Sequence, residues 1–206
     1  MCKTIGDSIF SGSLSYLTGG LLLAAGEPEY IWAGAFILAV GTMQWVDAMI
    51  WYNKSQGASS VIWSQLGVPT VLVLELITGY FGYVYYSHKR IVLYEPLLAF
   101  MVLSILFTFY TNCDESSIDT SGYLIWCGKK NIKPQPYRIF ERTLIMLCLV
   151  FPFFFYPHGI IKYGIILASF GLWVDTVMYD SFGSRWCHSF FAVDMIVLAK
   201  LLIQGA

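Results

Sequence analysis

The chain has 206 residues, 57% of them hydrophobic and 12% charged, with a net charge of −1 and a mean hydropathy of +0.65. A soluble domain of this size carries about a quarter charged residues, so the composition points to an integral membrane protein whose first partner is the lipid bilayer. The near-neutral balance leaves no basic surface for nucleic acid.

The N-terminus, Met1-Cys2-Lys3-Thr4-Ile5-Gly6-Asp7, has one lysine and leads into a Gly- and Ser-rich stretch without a clear cleavage site. It does not read as a signal peptide and is expected to be retained. Seven apolar segments follow, at Ile9–Gly26, Tyr30–Tyr52, Val61–Tyr86, Ile91–Thr111, Ile139–Tyr156, Gly159–Tyr179 and Trp186–Ile203. Runs of about twenty residues match one helical bilayer crossing. They are continuous in polarity, not alternating, which favours helices over a barrel. The expected fold is all-α, with seven transmembrane helices in one domain spanning residues 1–206. The Gly- and Ser-rich first segment is expected inside the bundle, because small residues let helices approach closely.

The loop at 112–138 is the one sizeable extramembrane piece, acidic at first (Asp114, Glu115, Asp119) and then basic (Lys129, Lys130, Lys133, Arg138). With the N-terminus inside, Lys3, Lys54, this loop and Arg185 are cytoplasmic, the side the positive-inside bias favours. Cys113 and Cys127 bracket part of the loop as a candidate disulfide, which requires an oxidising side.

Two halves of the chain echo each other. Pro28 is matched by Pro157, Asp47 by Asp175 and Trp63 by Trp186, at an offset near 128 residues. Segments one to three (9–86) then correspond to five to seven (139–203), with 91–111 as a linker helix. One extra crossing between the triplets gives them the same orientation, a parallel 3+1+3 repeat.

The candidate functional residues are polar groups at membrane depth, where charge is expensive and faces a protein interior or a water path. Gln44, Asp47 and Trp51 share one helix face. The amide and the indole N–H can both hydrogen-bond the carboxylate. Glu75 is the deepest acid, Asp175 echoes Asp47, and Asp194 lies in the last segment after His188. If these acids converge they need cations or protons to compensate them, which makes a small cation or proton a candidate partner. Each of these residues also reads as a plain interhelical staple, and the two readings stay open. Cys2 and Cys187 are candidate functional thiols. Lys200 lies near the chain end and reads as a snorkelling lysine, not a retinal attachment site. The histidines and cysteines are too sparse for a metal site, so neither metal nor cofactor is expected. A second copy of the chain is a further candidate partner.

Three short motifs carry a resemblance: Met1-Cys2, Gln44-x-x-Asp47-x-x-x-Trp51 and Gly183-Ser184-x-Trp186-Cys187. They resemble a seven-helix membrane protein family with members in bacteria and large DNA viruses. Its pattern is an N-terminal Met-Cys-Phe-Ser, a Gln-x-x-Glu-Gly-x-x-Trp and a late Gly-Ser-x-Trp-Cys. Here Lys3-Thr4 replaces Phe-Ser and Asp47-Ala48 replaces Glu-Gly, while the spacing from Gln44 to Trp51 is that of the pattern. The resemblance implies seven helices and groups Cys2, Asp47, Trp186 and Cys187 together; it implies no activity. In layout the repeat is also similar to 3+1+3 transporters of the sugar-transporter and Pro-Gln-loop type, although Pro134-Gln135 lies in a loop. The leading expectation is a cation or proton channel, or a proton-coupled transporter of small solutes. A scaffolding membrane protein is the alternative, and a thiol enzyme using Cys2 and Cys187 a further one; non-enzymatic function is favoured.

Overall fold

The structure, a computed structural model, describes residues 4–113, 115–118, 122–126, 135–179 and 186–204. The side chains at 112, 135, 137–138, 172, 175–179, 186–189 and 204 lie outside the description. Seven α-helices run in chain order: α1 Ile5–Ala25, α2 Pro28–Ser55, α3 Val68–Ser87, α4 Tyr94–Asn112, α5 Gln135–Val150, α6 Gly159–Tyr179 and α7 Trp186–Gln204. A two-stranded antiparallel hairpin, β1 Ser117–Ile118 and β2 Leu124–Ile125, sits between α4 and α5. Among the described residues four helical stretches are long and apolar enough to cross a membrane: Ile5–Ala25, Pro28–Ser55, Trp63–Ser87 and Tyr94–Thr111.

Local signals set the helix ends. Thr4 caps α1, its hydroxyl accepting from the Asp7 N–H at 3.1 Å, and Gly26 closes it in the left-handed region at φ 77°, which costs glycine little. Pro28 then opens α2 at a position where its missing N–H is not needed. A π-helical turn, Trp63–Gly67, runs into α3. Pro69 cannot donate to the Gln65 carbonyl and its ring crowds that carbonyl, so the backbone there widens into the π turn. A 3₁₀ turn, Phe151–Phe155, with Pro152 near its start, extends α5.

α1 packs on α2, α2 on α3, α5 on α6 and α6 on α7, while α1 meets α7 and α3 meets α4 and α5. The α1–α2 contact is backbone to backbone. A Cβ on Gly34 would lie 2.8 Å from the Gly19 carbonyl oxygen, and one on Gly19 would lie 2.9 Å from that of Gly34. The first segment is therefore interior along one face, as its composition predicts.

The polarity of the bundle is inverted relative to a soluble protein. Phe81, Phe100, Leu103, Phe107, Leu147 and Leu167 point outward and are exposed, whereas Ser8, Ser11, Ser15, Thr18, Gln44, Asp47, Glu75, Ser169 and Asp194 are buried. An apolar exterior of this extent is stable against lipid, not water, and together with the four long helices it marks the protein as membrane-embedded. Opposite the hairpin face, Trp32 is fully buried among Tyr83, Phe153 and Tyr156 at ring-centroid distances of 5.0–6.1 Å.

This packing yields a stability prediction. A Cβ on Gly82 would sit 1.9 Å from the Trp32 ring, whereas nothing lies within 4 Å of one on Gly20. Gly82→Ala must therefore displace a locked indole and is expected to cost about 1–3 kcal/mol. Gly20→Ala should be neutral or stabilising. Thermal unfolding of the two variants in the same detergent checks the contrast.

Candidate functional site

The polar interior is built from four helices, α1, α2, α3 and α7, and closed by the hairpin. On α1, Ser8, Ser11, Ser15 and Thr18 follow a spacing of three, four and three residues and share one buried face. The Ser15 hydroxyl donates to Asp194 Oδ2 at 2.5 Å, tying α1 to α7. Among the described residues Asp194 Oδ1 and the hydroxyls of Ser8, Ser11 and Thr18 have no hydrogen-bond partner.

Interhelical contacts set the heights of the acids. Gly41 of α2 faces Ser15, Gly34 faces Gly19, Gly67 faces Val46 and Gly82 faces Trp32. By these registers Ser15 and Asp194 lie level with Gly41, near the middle of α2. Glu75 lies about level with residues 38–40, close to the same height. Asp47 sits six residues further along α2, about 9 Å nearer the hairpin at 1.5 Å per residue.

The three acids have different surroundings. Asp47 is fully buried, and Oδ1 accepts the indole N–H of Trp126 at 2.7 Å. Asp194 has its serine. Glu75 is fully buried, and neither of its carboxyl oxygens has a partner among the described residues. Gln44 is buried on the Asp47 face. Trp51 is half-buried, with an indole N–H that has no partner among the described residues. Among the described residues no three His, Cys, Asp or Glu side chains come together as metal ligands. Asp175 lies on α6, and Cys187 and His188 on the first turn of α7, but their side chains are outside the description, as are Cys2 and Cys127 entirely.

The hairpin reaches this interior because the start of α3 holds it. Ser64, in the π turn, pairs with the Ser116 hydroxyl at 2.6 Å and accepts the Ser116 N–H at 3.1 Å. Gln65 donates to the Cys113 carbonyl at 2.5 Å, and Glu115 accepts the Ser60 N–H at 3.2 Å. Leu124 and Trp126 are buried in consequence, at 0% and 3% exposure, and the indole is delivered to Asp47. Cys113 is disulfide-bonded; Cys127, its expected partner, lies outside the described residues. Cys148 is a free, buried thiol.

Two features of the interior escape a reading of the sequence by segment. Trp126 lies in a polar loop, where nothing signals insertion. Arg142 of α5 is 8% exposed, and the preceding Glu141 accepts from Thr108 of α4 at 3.0 Å; an adjacent acid and base inside an apolar segment was the available signal. Lys200 places its Nζ 5.5 Å from the Tyr30 ring, at the face opposite the hairpin.

Compared with protein-family models, curated proteins and solved structures, the chain matches none.

The Trp126–Asp47 bond makes a defined prediction. Trp126→Phe keeps the ring and removes the donor, and loss of a buried bond to a carboxyl group is expected to cost about 1–3 kcal/mol. In a thermal double-mutant cycle with Asp47→Asn the two changes should be clearly non-additive. Limited proteolysis should cut the 113–126 segment faster in Trp126→Phe.

Proposed function

We propose that the protein moves protons, alone or coupled to a small solute, through a seven-helix bundle. The observation that carries this reading is Glu75: a carboxyl group buried at mid-bundle, with neither oxygen hydrogen-bonded among the described residues. A buried carboxyl group without a partner holds a proton, or meets water or an ion. Asp194 stands at a similar height, with one oxygen lacking a partner among the described residues, and Ser11 and Ser8 of α1 lead from it toward the hairpin face. Hydroxyls can donate and accept at once, so with intervening water they form a relay for a proton.

The reading takes all seven helices as crossings and the two triplets as a parallel repeat. α5 with its 3₁₀ turn matches α1 in length, and α6 and α7 are of similar length again. An even number of crossings then separates the N-terminus from the hairpin, placing both on one side. The disulfide at Cys113 favours an oxidising compartment there, opposite to the side favoured by the lysines and arginines. Membership in the seven-helix family suggested by the sequence motifs belongs to the same proposal.

Proton flux into liposomes carrying the purified protein tests the function. Flux is expected from the native protein, reduced at least tenfold by Glu75→Gln and Asp194→Asn in variants that fold normally. Absence of native flux, or flux indifferent to both substitutions, would overturn the reading. The scaffold reading has its own support in the Ser15–Asp194 and Trp126–Asp47 bonds, which join separate parts of the chain. It predicts that the acid variants lose stability and that no flux exists to lose.

A further inference from the structure

A cavity of about 310 Å³ lies between α5 and α6, lined by Thr143, Leu147, Phe154, Ser169, Phe170 and Trp173 among others. It falls at the lower end of the usual size of ligand pockets. Leu147, Phe154 and Phe170 are 53–60% exposed, so it opens on the apolar exterior.

Comparison of the two halves of the chain explains why a gap exists here. At the 128-residue offset Thr143, Leu147, Ser169 and Trp173 stand where the first half has Ser15, Gly19, Gly41 and Trp45. In the first half these positions form the closed α1–α2 contact: a Cβ on Gly41 would lie 2.8 Å from the Ser15 Cβ, and one on Gly19 would lie 2.8 Å from Leu38. In the second half Ser169 and Leu147 carry the side chains that the glycines lack, so the same close approach is barred and the helices stand apart.

The lining has one polar group to spare. Thr143 and Trp173 are occupied with each other, the indole N–H donating to the threonine hydroxyl at 2.7 Å, and Thr143 in turn donates to the Ile139 carbonyl. Ser169 is 1% exposed, and its hydroxyl has no hydrogen-bond partner among the described residues. It is the central residue of α6. A hydrocarbon chain alone leaves that hydroxyl unpaired, and a charged headgroup at mid-helix depth carries a heavy desolvation cost. We propose that the α5–α6 cavity binds a neutral long-chain lipid bearing one hydroxyl or carbonyl oxygen, which pairs with Ser169 while its chain lies against Phe154, Phe170 and Leu147. The site is separate from the acids of the proton path and does not depend on them.

Quenching of Trp173 fluorescence tests this, with the purified full chain in detergent and three brominated probes of equal chain length: a fatty alcohol, an alkane and a fatty acid. The alcohol is expected to quench saturably and most tightly, and the saturable component should vanish in Trp173→Phe. Ser169→Ala should weaken the alcohol about three- to tenfold, the worth of one neutral hydrogen bond, and leave the alkane unchanged. Alkane binding by the same sample shows that the variant is folded, and Ser169→Thr should restore the alcohol. Equal affinity for alcohol and alkane in the native protein, tightest binding by the fatty acid, or saturable quenching that survives in Trp173→Phe would each overturn the proposal.

Discussion

The contact of α1 with α2 through Gly19 and Gly34 is the constraint on which the polar interior rests. Lipid supplies no hydrophobic drive for helices to associate, so close packing and hydrogen bonds must do so. Bringing two backbones together turns the whole small-residue face of α1 inward, and that face carries Ser8, Ser11, Ser15 and Thr18. The residues that permit the approach and those that make the interior polar thus belong to one stripe. Any change that pushes α1 away also withdraws Ser15 from Asp194, so packing and polarity are not separable in this half of the molecule.

The hairpin face depends on a second set of contacts. The start of α3, widened by the demands of Pro69, offers Ser64 and Gln65 to the chain leaving α4. Those bonds hold Cys113 and Ser116 next to β1, and β2, paired with β1, leads into Trp126, whose indole reaches a carboxyl group well below the end of α2. The chain between α4 and α5 is therefore part of the interior it covers, and Asp47 is reached through it.

Much of this was legible in the sequence. The segment Gly159–Tyr179 coincides with α6, and the others differ from their helices by up to seven residues at an end, most where the π turn precedes α3 and the 3₁₀ turn follows α5; hydropathy with Gly26 and Pro28 marks the α1–α2 boundary. Burial of Asp47, Glu75 and Asp194 follows from the cost of charge at membrane depth. Their separate surroundings do not follow, since spacing along a helix is silent about which neighbour it meets. Trp126 was illegible because its burial comes from long-range bonds to Ser64 and Gln65. The hydroxyl stripe of α1 was legible in its spacing, yet Gly- and Ser-rich composition reads more readily as packing than as polarity.

The π turn at Trp63–Gly67 has a consequence for helical phase. A π turn is an α-helix that has accommodated one additional residue, and one residue is about 100° of rotation. Ser64 and Gln65, before the phase shift, are directed at the hairpin, while Glu75, after it, is directed at the bundle centre. Removing one residue from that turn would restore an uninterrupted α-helix and swing the two faces against each other by roughly a quarter of a revolution. The hairpin's anchor and the central carboxyl group could not then both keep their places. A single-residue insertion in the backbone thus lets one helix serve two partners that lie in different directions around its axis.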